Sequence, residues 1–180
     1  MHATRSGAVI ATMLAGTLLA IASPAIAHDQ PSKNSDPTPS REFAANRYKN
    51  LKSGKYLQAV STANGARVVQ QPYASTGLQT WEAFTLDGYY TFENFSSGRN
   101  LGIDRASTSA GAPAIIANPS ADLNQDWTRD YSAYDGNYYA LKNRKSGLCL
   151  GISGASTANG AQAAQFRCDG STNQGWTSES

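Results

Sequence analysis

Histidine is nearly missing from this chain. Only His2 and His28 occur in 180 residues, and both precede the stretch rich enough in apolar residues to fold. A Ser-His-Asp or Cys-His nucleophile therefore has no base within the folded part. Zinc sites built on two or three histidines are excluded for the same reason, and two cysteines are too few for a thiolate site. Carboxylates number 13, but nothing in their spacing sets a pair across a cleft, as glycoside hydrolysis needs. No catalysis, metal or cofactor is expected.

Charge is also scarce, at 16% of residues, and Lys and Arg are scattered without a run or stripe. Nucleic acid is thus not the expected partner. A long apolar run occurs once, from Gly7 to Ala22, after Arg5 and before Ala25-Ile26-Ala27. A positive start, an apolar middle and a small-x-small end predict a secretory signal peptide over residues 1–27. Without a second such run the mature chain is expected to have no membrane span and to be secreted. Residues 28–46 carry Pro31, Pro37 and Pro39 among polar residues and read as a flexible leader. Residues 47–180 amount to one domain.

What the chain does have is repetition. Gln79-Thr80-Trp81, Gln125-Asp126-Trp127 and Gln174-Gly175-Trp176 hold all three tryptophans, spaced 46 and 49 residues apart. Upstream of each comes an Asn, a Ser-Gly step and a leucine: Asn50, Ser53-Gly54 and Leu57; Asn94, Ser97-Gly98 and Leu101; Asn143, Ser146-Gly147 and Leu150. A period of this length marks one supersecondary unit packed against its copies. Turn residues between short apolar runs, with no helical period, predict about four strands per copy and about twelve in all. The repeats fall near 47–88, 89–135 and 136–180. Three such units closing on one another would form a barrel capped by hairpins, which removes exposed sheet edges. Trp81, Trp127 and Trp176 are then expected in a common core, as structural residues.

Cys149 and Cys168 both lie in the third copy, 19 residues apart. In an exported protein such a pair is expected to be a disulfide. The corresponding positions are Tyr56 and Tyr73 in the first copy and Asn100 and Pro119 in the second.

Three Gln-x-Trp units that coincide with three Ser-Gly turns and this cysteine pair resemble the ricin B-type lectin domain. The resemblance covers nearly all of residues 47–176 and implies an all-β β-trefoil. It also implies non-catalytic recognition of galactose- or xylan-type sugars in shallow pockets, up to one per repeat. The expected partner is a carbohydrate, a galactoside or a plant or microbial polysaccharide. A separate secreted protein partner stays open.

In that family an Asp follows the Cys-Leu step, an aromatic stands two residues before the second Cys, and an Asn precedes the Gln of Gln-x-Trp. Carried over, the third copy offers Phe166 as stacking platform, Asn173 as hydroxyl reader and Gln174 as support. Its Asp position is Gly151. The first copy offers Gln58 at the Asp position and Tyr73 nearby. The second offers Asn124 and Gln125, with Gly102 and Ala117 where acceptor and platform would stand. The Asp is absent from all three copies. The third repeat is the expected site. The competing expectation is a trefoil that has lost sugar binding and acts as a protein-interaction or inhibitor module.

Overall fold

Turn residues every ten positions or so leave room only for short strands, and the computed structural model contains twelve among residues 40–180, with side chains described from Ala45 onward. The expected signal peptide at 1–27, and residues 28–39 of the expected leader, lie outside the described residues. In the first repeat the strands are β1 (Ser40–Asn50), β2 (Tyr56–Ala59), β3 (Val68–Gln71) and β4 (Trp81–Leu86). The second holds β5 (Tyr89–Asn94), β6 (Arg99–Ile103), β7 (Ala114–Ala117) and β8 (Trp127–Asp130). The third holds β9 (Tyr139–Asn143), β10 (Cys149–Ile152), β11 (Ala163–Phe166) and β12 (Gly175–Glu179). Among the described residues no helix is long and apolar enough to cross a membrane.

The first and fourth strands of each repeat make a closed ring. β1 pairs with β4, β4 with β5, β5 with β8, β8 with β9, β9 with β12, and β12 returns to β1, all antiparallel. The middle strands form the hairpins β2–β3, β6–β7 and β10–β11. Single bridges Arg67↔Ile115, Val69↔Gln162 and Pro113↔Ala164 join those hairpins to one another over one end of the barrel. This is the hairpin-capped barrel that the repeat predicts and the β-trefoil that the resemblance implies. Closure leaves no ring strand with a free edge.

The three tryptophans occupy equivalent places. Each is fully buried, and each indole Nε1–H donates to the carbonyl of the matching leucine: Trp81 to Leu57 (3.1 Å), Trp127 to Leu101 (3.0 Å) and Trp176 to Leu150 (2.9 Å). The ring supplies the apolar burial while the hydrogen bond removes the cost of hiding its one polar atom. Buried Asn50, Asn94 and Asn143 tie neighbouring repeats together. Their Nδ2 groups donate to the backbone of the preceding Gln-x-Trp turn, at Asn173 O (2.9 Å), Leu78 O (3.1 Å) and Asn124 O (2.9 Å). In the other direction Asn50 Oδ1 accepts from the amides of Lys52 and Ser53, and Asn143 Oδ1 from those of Lys145 and Ser146, which shapes the Ser-Gly turn.

Strand β1 begins at Ser40, inside the stretch expected to be a flexible leader. Low apolar content argued against order there, but a strand draws its hydrogen bonds from its neighbours, here β4 and then β12. β1 faces β4 from Ser40↔Thr85 to Asn46↔Trp81, and β12 from Arg47↔Glu179 to Asn50↔Trp176. Deleting residues through Arg47 removes the whole β4 ladder and the first rung to β12. The melting temperature should fall by roughly 5–10 °C, as for a loss of about 2 kcal/mol in a domain this size. An unchanged melting curve would refute this role for the strand.

Candidate functional site

In each repeat a 3₁₀ turn precedes the Trp: Gly77–Gln79, Leu123–Gln125 and Thr172–Gln174. The turn buries the Gln and aims its amide at the loop that follows the third strand of the repeat. Gln79 donates to Pro72 O (2.7 Å) and accepts from Ala74 N (2.8 Å). Gln125 donates to Asn118 O (3.0 Å) and accepts from Ser120 N (3.2 Å). Gln174 donates to Arg167 O (2.9 Å) and accepts from Asp169 N (3.3 Å). The Gln of Gln-x-Trp is thus a clamp that fixes one loop per repeat.

In the third repeat that clamped loop borders a shallow depression of about 340 Å³. Its lining includes Phe166, Asp169, Ser171, Asn173 and Gln174, with the rim made by Gly154 and Ala155. Phe166 ends β11, opposite Cys149 in the ladder, and is partly exposed. Asn173 is 9% exposed and places its Nδ2 3.4 Å from the Ile152 carbonyl. Asp169 is exposed, with its Oδ1 accepting from the Ser171 amide at 2.9 Å. Hydrogen bonds from Ser171 hold its carboxyl below the usual range, so it stands ready as an anionic acceptor. Asp169 is not among the residues that the family pattern points to; the only mark it leaves in the sequence is its place directly after Cys168.

The other sequence candidates lie elsewhere. Gly151 is buried beneath the 3₁₀ turn, where an added Cβ would come within 2.9 Å of Gln174 Cγ and 3.3 Å of Asn173 Nδ2. A carboxylate cannot enter there without moving the clamp. Asn124 and Gln125 are likewise buried, packed on Gly102, with Asn124 Nδ2 donating to Ile103 O (3.2 Å) and Gln125 Oε1 accepting from Asn100 Nδ2 (2.8 Å). Gln58 accepts from Gln79 Nε2 at 2.9 Å. Tyr73 is 61% exposed but packs edge-on against Tyr56, with ring centroids 5.7 Å apart, and lies under the Arg47 guanidinium at 5.2 Å.

That Tyr56–Tyr73 contact stands where the third repeat has its disulfide, Cys149–Cys168. In the second repeat the first of the two positions, Asn100, is instead bonded to the Gln125 clamp. One structural position thus carries a covalent link, an aromatic pair or a hydrogen bond. Around the tyrosines β12 of the third repeat adds Glu179, which accepts from Lys49 (3.1 Å) and Tyr56 (2.7 Å). Those bonds lower the Glu179 pKa and raise those of Lys49 and Tyr56.

The sequence matches the family described as ricin-type beta-trefoil lectin domain-like over residues 44–117 and 123–180. No curated protein matches it in sequence. Among solved structures it resembles the designed three-fold symmetric protein ThreeFoil, with TM-score 0.72, 36% identity, and coverage of 75% of this chain and 97% of that one. It also resembles part of the exo-β-1,3-galactanase 1,3Gal43A of Clostridium thermocellum, with TM-score 0.72 and 27% identity over 76% of this chain and 30% of the enzyme. The Macrolepiota procera ricin B-like lectin, solved with lactose, shares the fold at TM-score 0.67 and 20% identity, over 76% and 94% of the two chains.

Proposed function

Because the chain belongs to the ricin-type β-trefoil lectin family, we propose that it is a secreted, non-catalytic carbohydrate-binding protein whose working site is the third-repeat depression. The observation that carries this reading is that Phe166, Asp169 and Asn173 line one depression. A pyranose has an apolar C–H face and a rim of hydroxyls. It needs an aromatic surface for the one and fixed polar groups for the other. Phe166 is the surface, and Asp169 accepts from the hydroxyls in the role that a carboxylate at Gly151 would otherwise play. Asn173 reads a further hydroxyl. Gln174 holds the loop and does not touch the ligand. Pre-set side chains lose little freedom when sugar arrives, which matters at a shallow site with little area to offer.

Galactose- or xylan-type sugars are the proposed ligands. The resemblance to part of an exo-β-1,3-galactanase supports the galactose side of that pair. Export is supported by the signal-like segment at 1–27 and by the disulfide. Replacement of Phe166 by Ala should weaken binding to a competing free sugar at least about tenfold, and Asp169→Asn by a similar factor, each equivalent to roughly 1.4 kcal/mol. Isothermal titration with the chain from His28 measures both. Unchanged affinity in the two variants would remove the third repeat as the site. Failure of the folded protein to bind any glycan on a broad array would favour the protein-interaction reading.

A further inference from the structure

A second depression, of about 270 Å³, adjoins the first and shares Asp169 and Gln174 with it. It runs along the outside of the barrel beside Cys149–Cys168, and its far wall is Asp130, Ser132 and Tyr134. The pseudo-threefold repeat provides an internal control. At the same place the second repeat is more apolar, lined by Phe84, Leu86 and Pro119 with the single carboxylate of Glu93. The first repeat carries there the Glu179–Lys49–Tyr56 cluster, with Arg47 over Tyr73. In the third repeat two carboxylates and a tyrosine border open space.

These groups are held, not loose. The Asp130 Oδ1 accepts from the Ser132 amide at 2.9 Å, which leaves its remaining lone pairs for a ligand. Tyr134 donates its hydroxyl to Ser171 O (3.1 Å), and its ring lies on Gly175, where a Cβ would meet Cε1 at 2.9 Å. That contact explains why the third Gln-x-Trp carries glycine where the others carry Thr80 and Asp126. Burial, and then the Asp169 and Asp130 charges, push the Tyr134 phenol up, so it stays a neutral aromatic wall. Hydrogen bonds from Ser132 keep Asp130 ionised, helped by nearby Lys142.

Each depression therefore combines an aromatic wall with a carboxylate: Phe166 and Asp169 in the first, Tyr134 and Asp130 in the second. Small-molecule sites span about 300–1,000 Å³. Singly these two sit at or below the lower end of that range, and together they fall within it. Building on the sugar reading above, we propose that the depression beside the disulfide is a second sugar subsite. The preferred ligand is then an oligosaccharide of two or more rings that passes Asp169, in place of a single terminal sugar.

The test is a titration series of galactose with its β-1,3-linked di- and trisaccharides, and xylose with its oligomers. It uses the chain from His28 and the variants Ser132→Trp, which fills the second depression, and Asp130→Asn. In the unaltered protein affinity should rise about tenfold from one ring to two or three, the gain expected for one further well-made polar contact. Both variants should lose most of that gain and keep the single-ring affinity. Affinity independent of chain length, or a gain that survives Ser132→Trp, overturns the second subsite and leaves the first in place. No binding at any length overturns both.

Discussion

Trp127→Ala should be the most damaging single change in the molecule, lowering stability by about 4 kcal/mol. The ring is fully buried at the meeting of barrel and hairpin, so truncation opens a cavity that rigid strands cannot close. It also strands the Leu101 carbonyl, which the indole now satisfies at 3.0 Å. In a domain of this size that loss corresponds to a fall in melting temperature of roughly 12–20 °C. Trp127→Phe keeps most of the apolar volume and should cost about half as much. Threefold equivalence adds a sharper expectation. Trp81 and Trp176 bury the same ring against the same bond, so Trp81→Ala and Trp176→Ala should fall within about 1 kcal/mol of Trp127→Ala. Thermal melts of the three variants check this. A Trp variant that left the melting temperature within a few degrees would place that residue outside the core.

Removing the disulfide is the second large effect. Cys149→Ala with Cys168→Ala frees a loop of 19 residues. In the chain-entropy account this costs about 3 kcal/mol, or roughly 10 °C in melting temperature. The protein should still fold, because the first repeat manages with the Tyr56–Tyr73 contact and the second with the Asn100–Gln125 bond. Sugar affinity should fall only a few fold in the double variant at a temperature where it is folded. The Gln174 clamp still holds both Arg167 and Asp169, and one link in a network of several is lost. Melting with and without a thiol reductant gives the same comparison on the unaltered chain. Loss of all folded structure on reduction would mean that the core does not stand alone.

The two effects separate scaffold from site, which mirrors what the sequence could reveal. Tryptophans, Gln clamps and Ser-Gly turns recur because the fold needs each of them three times. Repetition made the architecture legible down to the four strands of each repeat. The proposed binding surface has no such redundancy. Asp169 follows a cysteine that only one repeat possesses, so nothing in the other copies flags it. Gly151 held the position where an acceptor was sought, and only the 2.9 Å approach of Gln174 Cγ shows that the space is already taken. Tyr73 stands near the first-copy site in sequence, but its match to Cys168 and that of Tyr56 to Cys149 foreshadow the contact in which the two rings meet. The start of β1 at Ser40 was hidden for a related reason: its order comes from pairing with β4, not from its own composition.

The role of Gln-x-Trp also changes once the bonds are known. The Gln is conspicuous in sequence and easily taken for a ligand group. All three are buried and bond to backbone, with Gln58 and Asn100 as further partners of Gln79 and Gln125, so what they fix is the position of the loop. Asn50, Asn94 and Asn143 are marked in the sequence only as repeated positions, yet each fastens one repeat to the preceding turn.

The central claim, a lectin working from its third repeat, is tested most directly by backbone amide spectra of isotope-labelled protein titrated with galactose and with xylose. The account predicts fast-exchange shifts for at least one sugar, confined to residues 152–155 and 166–174, saturable and absent in Phe166→Ala. Shifts centred on the first or second repeat, or no shifts with any sugar from a well-folded protein, would contradict it.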